Sequence, residues 1–142
     1  MKLDLAKYRT LFLEEGSEHL AELSRALLEL EKDAGSPEAI DAAFRMAHSI
    51  KGMAASLGYE SIAEVAHRFE DRMARYRAAG RVDAAGVGVL FQGLDGLERM
   101  VAAVRETGAA PPGEPRLAGW LAAPDSEDVP EVPPAKKLPR RS

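Results

Sequence analysis

Apolar residues along this chain recur at intervals that keep returning to one side of a helix. From Asp4 to about Lys32 they are Tyr8, Phe12, Leu20, Leu23, Leu27 and Leu30, with Glu14, Glu15, Glu18, Glu22 and Glu29 on other positions. That pattern predicts a long amphipathic helix. Asp33-Ala34-Gly35-Ser36-Pro37 interrupts it, with Ser36 placed as N-cap and Pro37 at the first position of a second helix. The second stripe runs Ile40, Ala43, Ala47, Ile50, Ala54, Leu57, and Gly58 follows where a left-handed C-cap is favoured. Ser61 and Glu64 fit a capping box for a third helix with core positions Ile62, Val65, Ala66, Phe69, Met73 and Tyr76, ended by Gly80. Asp83 caps a fourth, striped by Val87, Leu90, Leu94, Leu97, Val101 and Val104 and weakened at its start by Gly86, Gly88 and Gly93.

Four helices with one apolar face each and short connections bury those faces together as an antiparallel up-down bundle, so the predicted class is all-α with no strand. The bundle is expected to occupy residues 1–107. In the segment 108–123, Arg116 to Ala123 admits one short fifth helix that docks Leu117, Trp120 and Leu121. Residues 124–142 hold Pro124, Pro130, Pro133, Pro134 and Pro139, and read as a flexible proline-rich linker or tail. The basic Lys136-Lys137-Leu138-Pro139-Arg140-Arg141 at its end reads as solvated.

Composition narrows the function. With Lys+Arg 19 against Asp+Glu 23 the net charge is −4, without the basic excess that nucleic acid or anionic lipid demands. Protein or small-molecule partners are favoured. The absence of cysteine excludes disulfides, thiolate catalysis and thiolate metal sites, and no run of about 18 apolar residues appears. The expectation is a soluble cytoplasmic protein.

The candidate chemistry lies in Ala47-His48-Ser49-Ile50-Lys51-Gly52 on the second helix. His48 falls at the edge of the apolar stripe, where a partner can reach its ring. Lys51 and Gly52 sit on the next turn: an ammonium there offsets the charge of a phosphorylated ring nitrogen, and a missing side chain permits close approach. On the third helix His67 and Glu70 are three apart, at the edge and outer face of their stripe. An imidazole attacks only through a nitrogen bearing a lone pair, so a carboxylate accepting the other N–H fixes the tautomer; Glu70 is the candidate. His67 has two parts open to it, bonding phosphoryl oxygens or bonding the ring.

These residues, with Phe12-Leu13-Glu14-Glu15, Phe44-Arg45, Leu57-Gly58-Tyr59 and Ala66-His67-Arg68-Phe69-Glu70-Asp71, resemble the histidine phosphotransfer (HPt) domains, in particular those at the N-terminus of chemotaxis histidine kinases of the CheA type. The resemblance spans about residues 5 to 107. It implies that His48 is phosphorylated by an ATP-dependent kinase domain and passes the group to an aspartate of a response regulator of the CheY or CheB type. It also implies supporting roles for Lys51, His67 and Glu70, a helix after the bundle, and a monomer, since such kinases dimerise through a separate domain. Kinase domains of this class use an asparagine for magnesium-bound nucleotide; this chain has none and no glycine-rich nucleotide loop. ATP and magnesium are therefore expected on a separate domain, with no cofactor in this chain, and the proline-rich tail is like the linker of a longer kinase.

Other histidines and aromatics receive ordinary readings: His19 as solvated, and Phe12, Phe44, Phe69 and Phe91 as core. A metal site is a rival reading, because Glu64-Val65-Ala66-His67 is the Glu-x-x-His element of di-iron bundles. Such sites need two copies, and this is the only one.

Overall fold

The computed structural model describes residues 4–124. It holds five helices: α1 Leu5–Lys32, α2 Pro37–Ser56, α3 Glu60–Ala79, α4 Ala84–Thr107 and α5 Pro115–Ala122. Local chemistry marks most boundaries. Asp4, Ser36 and Asp83 accept hydrogen bonds from the backbone N–H groups of Lys7, Ala39 and Gly86, satisfying donors that the first helical turns leave open. At the end of α2, Gly58 takes φ 76°, its N–H donates to Ala55 and the Tyr59 N–H donates to Ala54. This is a Schellman closure, and it needs a residue without a Cβ.

That tight closure corrects one expectation. Helix α3 resumes at Glu60 with Tyr59 in the N-cap place, so Ser61 is already helical and no capping box forms. Ser61 instead donates its hydroxyl to the Pro111 carbonyl at 2.7 Å, tying α3 to the segment before α5. Glu64 pairs with Arg68 at 2.9 Å.

Helices α1 to α4 form a closed ring of neighbours, α1 on α2, α2 on α3, α3 on α4 and α4 back on α1. The predicted stripes fill its core, with two exceptions: Tyr8 is exposed and Leu57 is half-buried. Both lie at the α1–α2 end of the bundle, where Leu5 and Leu11 are exposed as well. Helix α5 lies across α3 and α4 and buries Leu117 and Leu121. Two glycines of α4, Gly93 and Gly96, serve this layer rather than simply weakening the helix. A Cβ on Gly93 would sit 2.7 Å from the buried Phe69 ring and 3.0 Å from Leu121, and one on Gly96 would strike Leu117.

Arg72 is fully buried. Its guanidinium donates to the carbonyls of Leu121 at 2.9 Å, Trp120 at 3.1 Å and Ala123 at 3.1 Å. Those carbonyls lie at the negative end of α5, and Arg75 joins Arg72 at two of them, which is why a buried cation is tolerated there. No helix among the described residues is long and apolar enough to cross a membrane.

Candidate functional site

The most extensive helix contact in the molecule joins α2 and α3, and the candidate residues sit along it. His48 projects from α2 with its side chain 63% exposed, whereas Glu70 on α3 is only 12% exposed. His48 Nδ1 lies 2.8 Å from Glu70 Oε2. A carboxylate has only acceptors, so Nδ1 is the protonated, donating nitrogen, which in the neutral ring leaves the lone pair on Nε2. The deep carboxylate and the exposed ring together direct that lone pair away from the bundle.

Lys51, one turn after His48, places Nζ 2.6 Å from the other Glu70 oxygen. Burial pushes the Glu70 carboxyl up, but the Lys51 ammonium beside one oxygen and the His48 N–H at the other outweigh it and hold the group below its ordinary value. Glu70 is therefore an anion at neutral pH, anchored at one oxygen and accepting from the imidazole at the other. Gly52 is exposed, and a Cβ built there meets nothing within 4 Å, so the surface beside His48 is open.

His67 is not brought into this cluster. Its Nε2 is 3.5 Å from Asp71 Oδ2 on its own helix, and no hydrogen bond or ion pair among the described residues joins it to His48, Lys51 or Glu70. The Glu64-x-x-His67 pair is likewise divided, each member facing a different partner on α3. Among the described residues no group of three or more acidic or histidine side chains is placed to hold a metal ion.

Phe44, read from the sequence as core, is half-buried and stacks on His48 with ring centroids 6.5 Å apart and planes 11° from parallel. Arg77 of α3 lies over the Phe44 ring at 3.9 Å. The spacing of four between Phe44 and His48 was a legible signal, since such residues share a helix face. Arg77 carried no comparable one.

A buried carboxylate that orients an exposed imidazole makes a nitrogen nucleophile available to a partner. The chain is similar to several known proteins. The chemotaxis protein CheA of Halobacterium salinarum is 38% identical over 102 residues, covering 71% of this chain but only 15% of that protein. A solution structure of the histidine phosphotransfer domain of CheA matches with TM-score 0.76 at 30% identity, covering 88% of this chain and 98% of that one. The phosphorylated P1 domain of CheA3 in complex with CheY6 from R. sphaeroides matches with TM-score 0.75 at 25% identity, covering 81% and 92%. The Hpt domain family model matches residues 7–107, from the first turn of α1 to the end of α4, and this chain belongs to that family.

Proposed function

We propose that this chain is the phosphoryl carrier of a chemotaxis-type two-component system, with His48 Nε2 as the acceptor atom. The observation that carries the reading is the 2.8 Å contact of Nδ1 with a carboxylate beneath a ring that is 63% exposed. The kinase domain that supplies the group, with its ATP and magnesium, lies outside this chain. In the first step the Nε2 lone pair attacks the γ-phosphorus, a P–N bond forms, and the P–O bond to ADP breaks. The Nδ1 proton stays on the ring, whose positive charge is then paired with Glu70. In the second step a carboxylate oxygen of a receiver aspartate, on a regulator of the CheY or CheB type, attacks phosphorus. The P–N pair returns to Nε2, and a ring still protonated at Nδ1 leaves readily as neutral imidazole.

Lys51 fixes the Glu70 carboxylate before transfer and offers its charge to the phosphoryl oxygens afterwards. His67 bonds those oxygens as well, which requires it to leave Asp71. Gly52 keeps the approach clear. Beyond it, between α1 and α2, an apolar groove lined by Leu5, Tyr8, Leu11, Phe12, Met53 and Leu57 offers the receiver a surface to lie against.

Radiolabel transfer tests the proposal. Given the cognate kinase domain and ATP, the wild type is expected to gain acid-labile, alkali-stable phosphate, and His48→Gln none. Label persisting in that variant would falsify the assignment of the acceptor.

A further inference from the structure

Among the described residues His48 has one polar tether, and one tether does not fix a ring. A single bond to Glu70 leaves the imidazole free to rock about its long axis, and a flip would present a carbon where Nδ1 now stands. Its plane must be set by something flat. Phe44 supplies that surface: it lies one turn before His48 on α2, nearly parallel at 11°, with centroids 6.5 Å apart. This falls within the range of about 4.5–7 Å over which aromatic pairs interact.

Phe44 is itself held from α3. The Arg77 guanidinium covers its ring at 3.9 Å and bonds Asp41 Oδ1 at 3.1 Å, while Arg45 lies 3.3 Å from the other Asp41 oxygen. Glu70 and Arg77 are seven apart, two turns along one face of α3. Asp41, Phe44 and His48 line the facing side of α2. The two helices thus meet in two rungs, Glu70 with His48 and Arg77 with Phe44 and Asp41.

We propose that Phe44 is a positioning residue for His48, clamped by Arg77 so that its ring sets the imidazole plane while Glu70 sets which edge turns inward. The proposal rests on the carrier reading, because only a nucleophile needs Nε2 aimed outward.

The test uses the full chain, labelled with ¹⁵N, and phosphoramidate as a phosphoryl donor that needs no partner protein. Long-range ¹H–¹⁵N spectra report the His48 tautomer. The donor reports nucleophilicity, since Nε2 displaces ammonia from phosphorus. Phe44→Leu keeps apolar bulk and removes the flat face: helicity is expected to persist, the two tautomers to mix, and phosphorylation to slow about 2- to 12-fold, the span an aromatic pair implies. Phe44→Tyr is expected to restore both readouts. Arg77→Met is expected to shift both in the same direction by less.

Wild-type tautomer and rate in Phe44→Leu would overturn the proposal, as would a leucine defect that tyrosine fails to repair. Should Phe44→Leu not fold, the exposed Arg77→Met decides, and unchanged spectra there overturn it. A wild type that takes phosphate at His48 from neither phosphoramidate nor kinase overturns the carrier reading instead, while the tautomer spectra still judge Phe44.

Discussion

Replacing Glu70 with Gln removes the charge that orients His48 and pairs with Lys51. The amide keeps the shape of the carboxylate but cannot hold the ring cation that forms when Nε2 is phosphorylated. Two unit charges about 4 Å apart at an effective dielectric of about 20 attract by about 4 kcal/mol, a ceiling for this pair. The net value of a hydrogen bond to a charged group is nearer 1.5–3 kcal/mol, or about 10- to 150-fold in rate. Because His48 is 63% exposed, solvent screening pulls the effect toward the lower end. We therefore expect turnover with saturating kinase domain to fall about 10- to 30-fold. Glu70 lies beneath the ring with only 12% exposure, so it does not meet the partner and KM should hold. Stability should change by less than about 1 kcal/mol, since the lost pair includes a largely exposed ring.

The acid limb provides an internal control with a definite sign. The folded Glu70 carboxyl titrates below its ordinary value of 4.5. Its contribution to stability is therefore complete above about pH 4.5 and is lost as pH falls through the lower folded value. Denaturant melts of wild type and Glu70→Gln should differ by a constant amount near neutrality and converge in acid. An unchanged turnover, or a gap that widens as pH falls, would refute the reasoning.

Other perturbations separate the scaffold from the site. Arg72→Met removes the buried guanidinium that binds three carbonyls at the end of α5 and leaves Arg75 to hold those of Leu121 and Ala123, and we expect a loss of about 1–3 kcal/mol in urea melts with faster amide exchange over residues 115–122. Gly93→Ala would set a methyl 2.7 Å from the Phe69 ring, and overpacking of that kind costs about 1–3 kcal/mol in the same melts. Gly52→Ala has free space on all sides and should stabilise α2 by up to about 1 kcal/mol. The same methyl stands on the approach proposed for a receiver, and on that proposal phosphotransfer should slow while uptake from phosphoramidate does not.

The bundle was legible because each helix carries its own instruction. Ser36 with Pro37, Gly58, Gly80 and Asp83 act within a few residues of where they stand, and the apolar stripes name the faces to be joined. What failed depended on distant partners or on crowding between elements. Ser61 resembled a cap, but the closure at Gly58 leaves α3 no room for another N-cap residue, and the hydroxyl found Pro111 across the fold instead. The α4 glycines carry a local propensity cost and nothing that announces Phe69, Leu117 or Leu121 lying against them. Arg72 carries no local sign of its burial, because its acceptors come from a helix nearly fifty residues later.

The site divides in the same way. His48, Lys51 and Gly52 are neighbours on one helix, so their association followed from spacing. Glu70 followed from chemistry, since an imidazole nucleophile needs an acceptor at its other nitrogen and α3 had one carboxylate in register. His67 shared that register, but its Nε2 lies 3.5 Å from Asp71 Oδ2 on its own helix rather than crossing to α2. Phe44 and Arg77 were hidden because each has an adequate ordinary explanation, one as core and the other as a solvated charge. They become visible once the antiparallel pairing is known. If Glu70 meets His48, the residue seven further along α3 must meet α2 about a turn or two earlier, and there stand Asp41 and Phe44. The second rung is thus a consequence of the first. A search of related two-helix sites should look two turns beyond the orienting carboxylate for a cation that holds an aromatic ring against the nucleophile.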